Sequence, residues 1–272
     1  MNKNLLLLHD FTGYGKVALS AMIPILSHMH YEVFNLPTAI VSNTLDYGRF
    51  EILDTTQYMQ QAVEIWDRLG FRFAAVSIGF LASNKQAEFV AGFAKEQSGK
   101  GAVIFTDPIL GDSGRLYNGM TEKNIAMART LLSVSDYCVP NATEAAYLAD
   151  IPYKADGFTE EEIRRILRRL RALGAKNIII TSAKREGAAG RCVIGFDDGH
   201  REPFQVDYEE IPAQLPGTGD IFSAILTGKV MAGLSLCDAV SETVTTVGGI
   251  IADHIGSMGK YLPVEDCLKE IR

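Results

Sequence analysis

Gly217-Thr218-Gly219-Asp220 runs directly into an apolar helical stretch. Two glycines let the backbone come close to a ligand. A helix start leaves several N–H groups without intrahelical partners, aimed outward at the positive end of the helix dipole. Such a terminus takes an anion, and Asp220 sets a carboxylate beside it. An oxyanion cradle with an adjacent base is the equipment for moving a phosphoryl group onto an alcohol. The plainer reading is a glycine turn with Asp220 favouring the dipole in the first helical turn.

Other polar clusters point the same way. Asp107-Pro108-Ile109-Leu110-Gly111-Asp112 carries two carboxylates around a turn fixed by Pro108 and Gly111. They are candidates to help hold Mg2+, which takes oxygen ligands and keeps several waters. Taken alone, both also read as turn caps. Ser113 to Tyr117 continues as a polar loop suited to folding over a nucleotide and excluding water. Asn141-Ala142-Thr143-Glu144 has the spacing of an N-cap and its reciprocal partner. Asn141 is also a candidate to face phosphate, and Glu144 to hold a metal-bound water. Thr181-Ser182 supplies two hydroxyls for phosphate oxygens. Gly13-Tyr14-Gly15-Lys16-Val17-Ala18 matches the dinucleotide fingerprint G-x-G-x-x-A after a strand. That fingerprint also needs an acidic residue ending the second strand, where this chain has Phe34-Asn35-Leu36-Pro37. A nicotinamide enzyme is therefore disfavoured, while a small-molecule contact by the loop is not. No G-x-x-x-x-G-K-S/T run occurs, and the protein-kinase motif set is absent.

The elements that must position these residues are legible as alternating patterns. Leu5–His9, Glu32–Pro37, Phe73–Ile78, Ala102–Thr106, Tyr137–Pro140 and Asn177–Thr181 read as strands. Between them lie helical stretches. Thr159–Leu173 has a capping box of Thr159 and Glu162 and one apolar stripe of Ile163, Ile166, Leu167 and Leu170. Its five arginines read as a solvated face. Ser83 and Gln86 read as a second capping box, opening a helix toward Gln97. Cys192–Phe196 and His200–Val206 read as a hairpin around Asp197-Asp198-Gly199, followed by helices over about Thr218–Ala232 and Leu236–His254. The order predicts an α/β fold, a mainly parallel sheet with helices on both faces. With no linker or repeat, one domain over 1–272 is expected. Every polar cluster falls at a strand's carboxyl end, where open α/β sheets bind ligands.

Bulk properties narrow the class. The 272 residues are 47% apolar, with a formal net charge of −7. That is globular, and too acidic for a protein that wraps nucleic acid. Leu5 to Leu8 is too short for a signal or membrane span, so a cytoplasmic protein is expected. Cys138, Cys192, Cys237 and Cys267 are scattered, which favours reduced thiols over disulfides or zinc.

Together these residues resemble the ribokinase superfamily, and within it the pyridoxal kinase branch of vitamin B6 salvage. The resemblance covers nearly the whole chain. It rests on a D-P-V/I-L/M-G-D loop at Asp107 to Asp112, N-x-x-E at Asn141 to Glu144 and G-T-G-D at Gly217 to Asp220, in order and with fitting spacing. Ser42-Asn43 followed by Tyr47-Gly48 resembles the family's substrate-side segment. The resemblance implies ATP and Mg2+ as cofactors, a monovalent cation as a further candidate, and a homodimer. It makes Asp220 the base, with Gly217, Thr218 and Gly219 cradling the phosphoryl group. Asp112, Asn141, Thr181 and Ser182 would stand toward ATP, Tyr117 in the lid, and Glu144 and Asp107 toward Mg2+. Asp10, Thr12, Thr44 and Phe80 would surround the acceptor ring. An adenine-side segment would fall near Ile211–Ala213 and Val247, without a motif. The chain departs from many relatives in His9-Asp10, where Ser-His is common, and in Phe80, where Tyr is common. Asp10 keeps open a second reading, hydroxymethylpyrimidine kinase of thiamine synthesis. A non-catalytic sensor of the same fold would have no need of Asp220, and a sugar kinase would want more polar side chains around the acceptor.

Overall fold

In the computed structural model, residues 3–200, 202–212, 215–255 and 261–271 are described. The chain opens with β1 (Asn4–Leu8), β2 (Phe11–Thr12), α1 (Leu19–His28), β3 (Glu32–Asn35), β4 (Ala39–Val41), β5 (Ile52–Asp54) and α2 (Thr56–Arg68). It continues through β6 (Ala75–Ile78), α3 (Asn84–Gly99), β7 (Val103–Thr106), β8 (Gly111–Asp112), β9 (Arg115–Leu116) and α4 (Glu122–Leu132). Then come β10 (Tyr137–Cys138), α5 (Ala142–Ala149), α6 (Glu160–Ala172), β11 (Asn177–Ala183), β12 (Arg191–Phe196) and β13 (Phe204–Tyr208). The helices α7 (Thr218–Met231), α8 (Leu236–His254) and α9 (Val264–Cys267) complete it.

One eight-stranded sheet has the order β3-β1-β6-β7-β10-β11-β12-β13. The first six strands are mutually parallel, and the β12–β13 hairpin adds two antiparallel pairings. The expected α/β architecture is therefore present. β1 explains its own central position. Leu5, Leu6, Leu7 and Leu8 are all buried, each contributing about 1.5–3 kcal/mol by leaving water. Leu5 and Leu7 pack with α1, α7 and α8, while Leu6 and Leu8 pack on the opposite face with α2 and α3. An edge strand could not bury both faces.

Chain order crosses from β3 over β1 to β6, which makes the carboxyl ends of β1 and β6 the switch point of the sheet. Asp10 follows β1, Phe80 follows β6 and Asp107 follows β7.

Five local readings differ from expectation, the first being that the second hairpin strand is Phe204–Tyr208 rather than His200–Val206. β1 ends at Leu8, because the His9 carbonyl instead accepts Thr38 N–H (3.0 Å). Gly13–Ala18 follows the two-residue strand β2, which belongs to a second sheet, β2-β4-β5. Gln86 does not close a box with Ser83. Ser83 caps the Gln86 N–H (3.3 Å), but Gln86 Oε1 accepts from Ala82 N–H (2.8 Å). β11 runs on to Ala183 through a register shift after Ile180. The capping boxes of α5 and α6 form as expected, and Arg164 and Arg171 of α6 pair with surface carboxylates.

Candidate active site

The N-terminus of α7 is built by close contact. Gly217 sits at φ 92°, and a Cβ there would lie 2.2 Å from the Lys16 carbonyl. Only glycine fits that approach. Thr218 spends both donors locally, its hydroxyl on Leu215 O (2.7 Å) and its N–H on the same oxygen (3.3 Å). Ile221 N–H closes the first turn on Gly217 O (3.0 Å). Among the described residues, the Gly219 and Asp220 N–H groups of this first turn have no backbone partner. A Cβ on Gly219 would meet nothing within 4 Å among the described residues, so the space beside its Cα is open.

Asp220 is buried in that first turn. Burial pushes its carboxyl up to about 6, and the N–H of Ala18 opposes the shift by bonding the ionised form. Asp10 is pushed up to about 7, first by burial and then by the charge of Asp220. The two carboxylates therefore feel each other. The same short segment ties them together, since Leu19 N–H donates to Asp10 O (3.2 Å) one residue beyond Ala18.

Asp107 and Glu144 form the second acidic pair. Asp107 Oδ2 accepts from Ser223 Oγ (2.7 Å), and burial with the neighbouring Glu144 and Asp220 charges holds it well above the carboxylate range. Glu144 accepts from the N–H groups of Leu110 (2.8 Å), Gly111 (3.4 Å) and Asn141 (2.8 Å). These bonds resist, without cancelling, the upward pull of burial. Tyr117 reports on the whole group: its hydroxyl is held protonated by burial and by Glu144, Asp112, Asp107 and Asp220 together. Asp112, on the exposed β8–β9 hairpin, accepts Ser113 N–H (2.7 Å).

Asn141 donates to Gly111 O (2.7 Å) and caps Glu144 N–H (3.0 Å), so one amide ties the hairpin to α5. It bridges to Thr181, whose N–H bonds Pro140 O (2.9 Å). The β11 bulge spans Thr181 and Ser182, and Ser182 lies at φ 53°. A bulge re-aims side chains at a sheet's edge. Ala18, Ile109 and Ser113 also have positive φ (48°, 44° and 51°). Such backbone costs on the order of 1–3 kcal/mol each and concentrates at functional sites.

On the other side, Thr12 and Thr44 are buried. Thr12 Oγ1 donates to Gly15 O (3.4 Å) and Thr44 Oγ1 meets Tyr261 Oη (3.0 Å). Phe80 packs with Ala39 and Val41 beneath Leu45 and Ile109, and lines a cleft with Pro108, Ile109 and Met120. Its carbonyl accepts from Thr38 Oγ1 (2.6 Å).

A protein-family model described as phosphomethylpyrimidine kinase matches residues 11–265. The chain belongs to the phosphomethylpyrimidine kinase family. Among solved structures, one of a Bacteroides thetaiotaomicron protein, described as a phosphomethylpyrimidine kinase and crystallised with pyridoxal, is 34% identical. The alignment covers 100% of this chain and 96% of that one, with a TM-score of 0.92. Pyridoxal kinase from Lactobacillus plantarum is 26% identical at a TM-score of 0.87, covering 100% and 97% of the two chains. Among curated proteins, pyridoxal kinase PdxY of Rubrobacter xylanophilus is 26% identical over 255 residues, which is 91% of this chain and 86% of the relative.

Within this family member, the sequence-nominated residues fall into two adjoining groups. Asp107, Asp112, Glu144 and Asp220 all act on Tyr117 and Asp10 feels Asp220, while Thr12 and Thr44 meet across Gly15, where a Cβ would lie 2.9 Å from Thr44 Cγ2. Ala213 of the adenine-side segment lies outside the described residues. Sequence reasoning missed Ser223 and Tyr261, and gave Ala18 and His9 no part in the site. Ser223 was findable, because it stands three residues after Asp220 on one helix face. His9 is buried, meets Ser77 Oγ (3.0 Å) through Nε2 and is drawn down to about 3 by burial, so it is neutral. Nothing local marks Ala18 or Tyr261, which are brought in by the fold.

Proposed function

We propose that this chain transfers the γ-phosphoryl group of MgATP to the hydroxymethyl group of pyridoxal, pyridoxine or pyridoxamine. The observation that carries the reading is Asp220, a buried carboxylate in the first turn of α7, next to Gly219, where a Cβ would meet nothing within 4 Å among the described residues. The pyridoxal bound by a whole-length neighbour at 34% identity supports the acceptor class.

The chemistry follows from the geometry. An alcohol is too weak an acid for Asp220 to ionise beforehand. In a loose transfer, proton removal lags behind cleavage of the bond to the leaving group. Asp220 orients the hydroxyl and takes its proton as positive charge develops on the attacking oxygen. The Gly219 and Asp220 N–H groups, with the positive end of α7, stabilise the phosphoryl oxygens. The carboxylate pair Asp107 and Glu144 fits Mg2+. Burial raises both carboxyls and neighbouring carboxylates add to the shift, a charge that an added cation would relieve. Glu144 already accepts three N–H groups, so it suits contact through a metal-bound water. Mg2+ supplies charge neutralisation on the nucleotide phosphates. Asp112, Asn141, Thr181 and Ser182 stand on the nucleotide side with Tyr117 covering it, and a monovalent cation would belong there too. Asp10, Thr12, Thr44 and Phe80 wall the acceptor.

The protein would act in the cytoplasm as a homodimer. All four cysteines are free thiols, and among the described residues no helix is long and apolar enough to cross a membrane. A hydroxymethylpyrimidine, free or as its phosphate, is the second acceptor to weigh, since the family model is described as phosphomethylpyrimidine kinase. Turnover measured with MgATP and pyridoxal, pyridoxine, pyridoxamine and hydroxymethylpyrimidine decides. A pyridine alcohol is expected to have the highest kcat/KM. Preference for the pyrimidine would overturn the acceptor assignment, and no ester from any of the four would overturn the kinase.

A further inference from the structure

The C-terminal segment touches the acceptor wall through contacts that the transfer chemistry does not require. Leu262 and Val264 are fully buried in the core formed with α1, α7 and α8. From that anchor, two neighbouring side chains reach the acceptor loops. Tyr261 Oη meets Thr44 Oγ1 at 3.0 Å. Glu265 forms an ion pair with Lys16. The Tyr261 ring also packs against the Gly15 backbone, where a Cβ would lie 3.2 Å from two of its carbons, and Gly15 itself sits at φ 122°. Tyr14 then stands edge-on to Tyr261, with centroids 5.5 Å apart, and to Tyr47 at 6.2 Å.

We infer that Tyr261 is a positioning residue for the acceptor, acting as a strap between the core and the two loops that carry Thr12 and Thr44. The inference rests on Thr44 being an acceptor contact. Three features make the strap specific. Thr44 is buried, so its hydroxyl has few alternative partners. Tyr261 Oη and Thr44 Oγ1 share one hydrogen bond in which either can donate, so each restrains the other's rotation. The ring also clamps Gly15 against Thr44, so a single side chain sets the spacing between the two loops. The Lys16–Glu265 pair is exposed on both sides, and exposed pairs contribute little. The neutral hydroxyl contact and the ring therefore carry the coupling.

Tyr261→Phe keeps the ring and removes only the hydroxyl, so the variant is expected to fold. Its KM for pyridoxal should rise about threefold to tenfold, the net worth of one hydrogen bond, while KM for ATP and kcat hold. Thr44→Ala should raise the same KM. The double variant should be no worse than Thr44→Ala alone, since contacting residues do not add. Hydrogen–deuterium exchange should quicken in 13–17 and 42–48 of Tyr261→Phe and nowhere else, a readout that needs no turnover. Unchanged loop exchange together with an unchanged pyridoxal KM would overturn the strap. So would a rise in both substrates' KM with a lower melting temperature, which is general loosening. If Thr44→Ala leaves the pyridoxal KM unchanged, Thr44 is not an acceptor contact, and the inference falls for that separate reason.

Discussion

Asp220 and Asp10 are both held above the ordinary carboxylate value by burial, and the charge of Asp220 adds to the shift of Asp10. The transfer needs Asp220 ionised, and burial holds its carboxyl near 6. The log of kcat/KM is therefore expected to fall as pH drops through about 6, in a profile taken at saturating Mg2+. A flat profile down to the ordinary carboxylate value of 3.8 would contradict the assignment. Stability runs the other way. Both groups have folded values above their unfolded value of 3.8. Their contribution is complete below the unfolded value and is lost as pH rises through about 6 and about 7. Asp10→Asn removes one of the two repelling charges. Its melting temperature should exceed wild type at pH 8 by roughly a few degrees, with the gap closing at pH 4. An equal shift at both pH values would mean that charge is not the cause. Asp220 was legible from its glycine neighbours and the helix that follows. Asp10 was legible only through family likeness, because a lone acid after a strand announces nothing.

Among the elements, α7 separates structural from chemical glycines. Gly217 is clamped under the Lys16 carbonyl at positive φ, whereas Gly219 has helical backbone and empty space beside it. Gly217→Ala should lower the melting temperature sharply, with roughly 1–3 kcal/mol of backbone strain before the clash is added. Gly219→Ala should hold or raise it, since alanine outranks glycine in helices by roughly 0.5–1 kcal/mol. On the proposed reading its methyl would stand beside the path of the phosphoryl group, so turnover should fall. Matching losses of stability in the two variants would refute this division. Central strands were readable because each is a continuous apolar run. The sheet β2-β4-β5 was not, since strands of two or three residues are too short to show a period. The β11 bulge was hidden for a related reason: the extra residue shows only against its partner strand.

At the scale of the whole molecule, the small sheet has two roles on its two faces. Thr12, Ala39 and Val41 point inward and are buried. Phe11, Ile40 and Leu53 are paired across the strands on the outer face, with exposures of 42%, 40% and 63%. An exposed apolar row of this kind is a candidate association surface. The proposed homodimer would use it, setting the back of the acceptor wall against a second copy. Leu53→Asp should then run as a monomer in light scattering, while wild type runs as a dimer. A dimeric variant would place the interface elsewhere. The sequence carried the fold class because alternation of strand and helix is local. It carried no sign of this face, whose residues meet only across three strands.

The most direct test of the central claim is a single-turnover experiment on Asp220→Ala with MgATP and pyridoxal. The account predicts nucleotide binding close to wild type and phosphoryl transfer slower by on the order of a hundredfold or more. Transfer at the wild-type rate in that variant would contradict it.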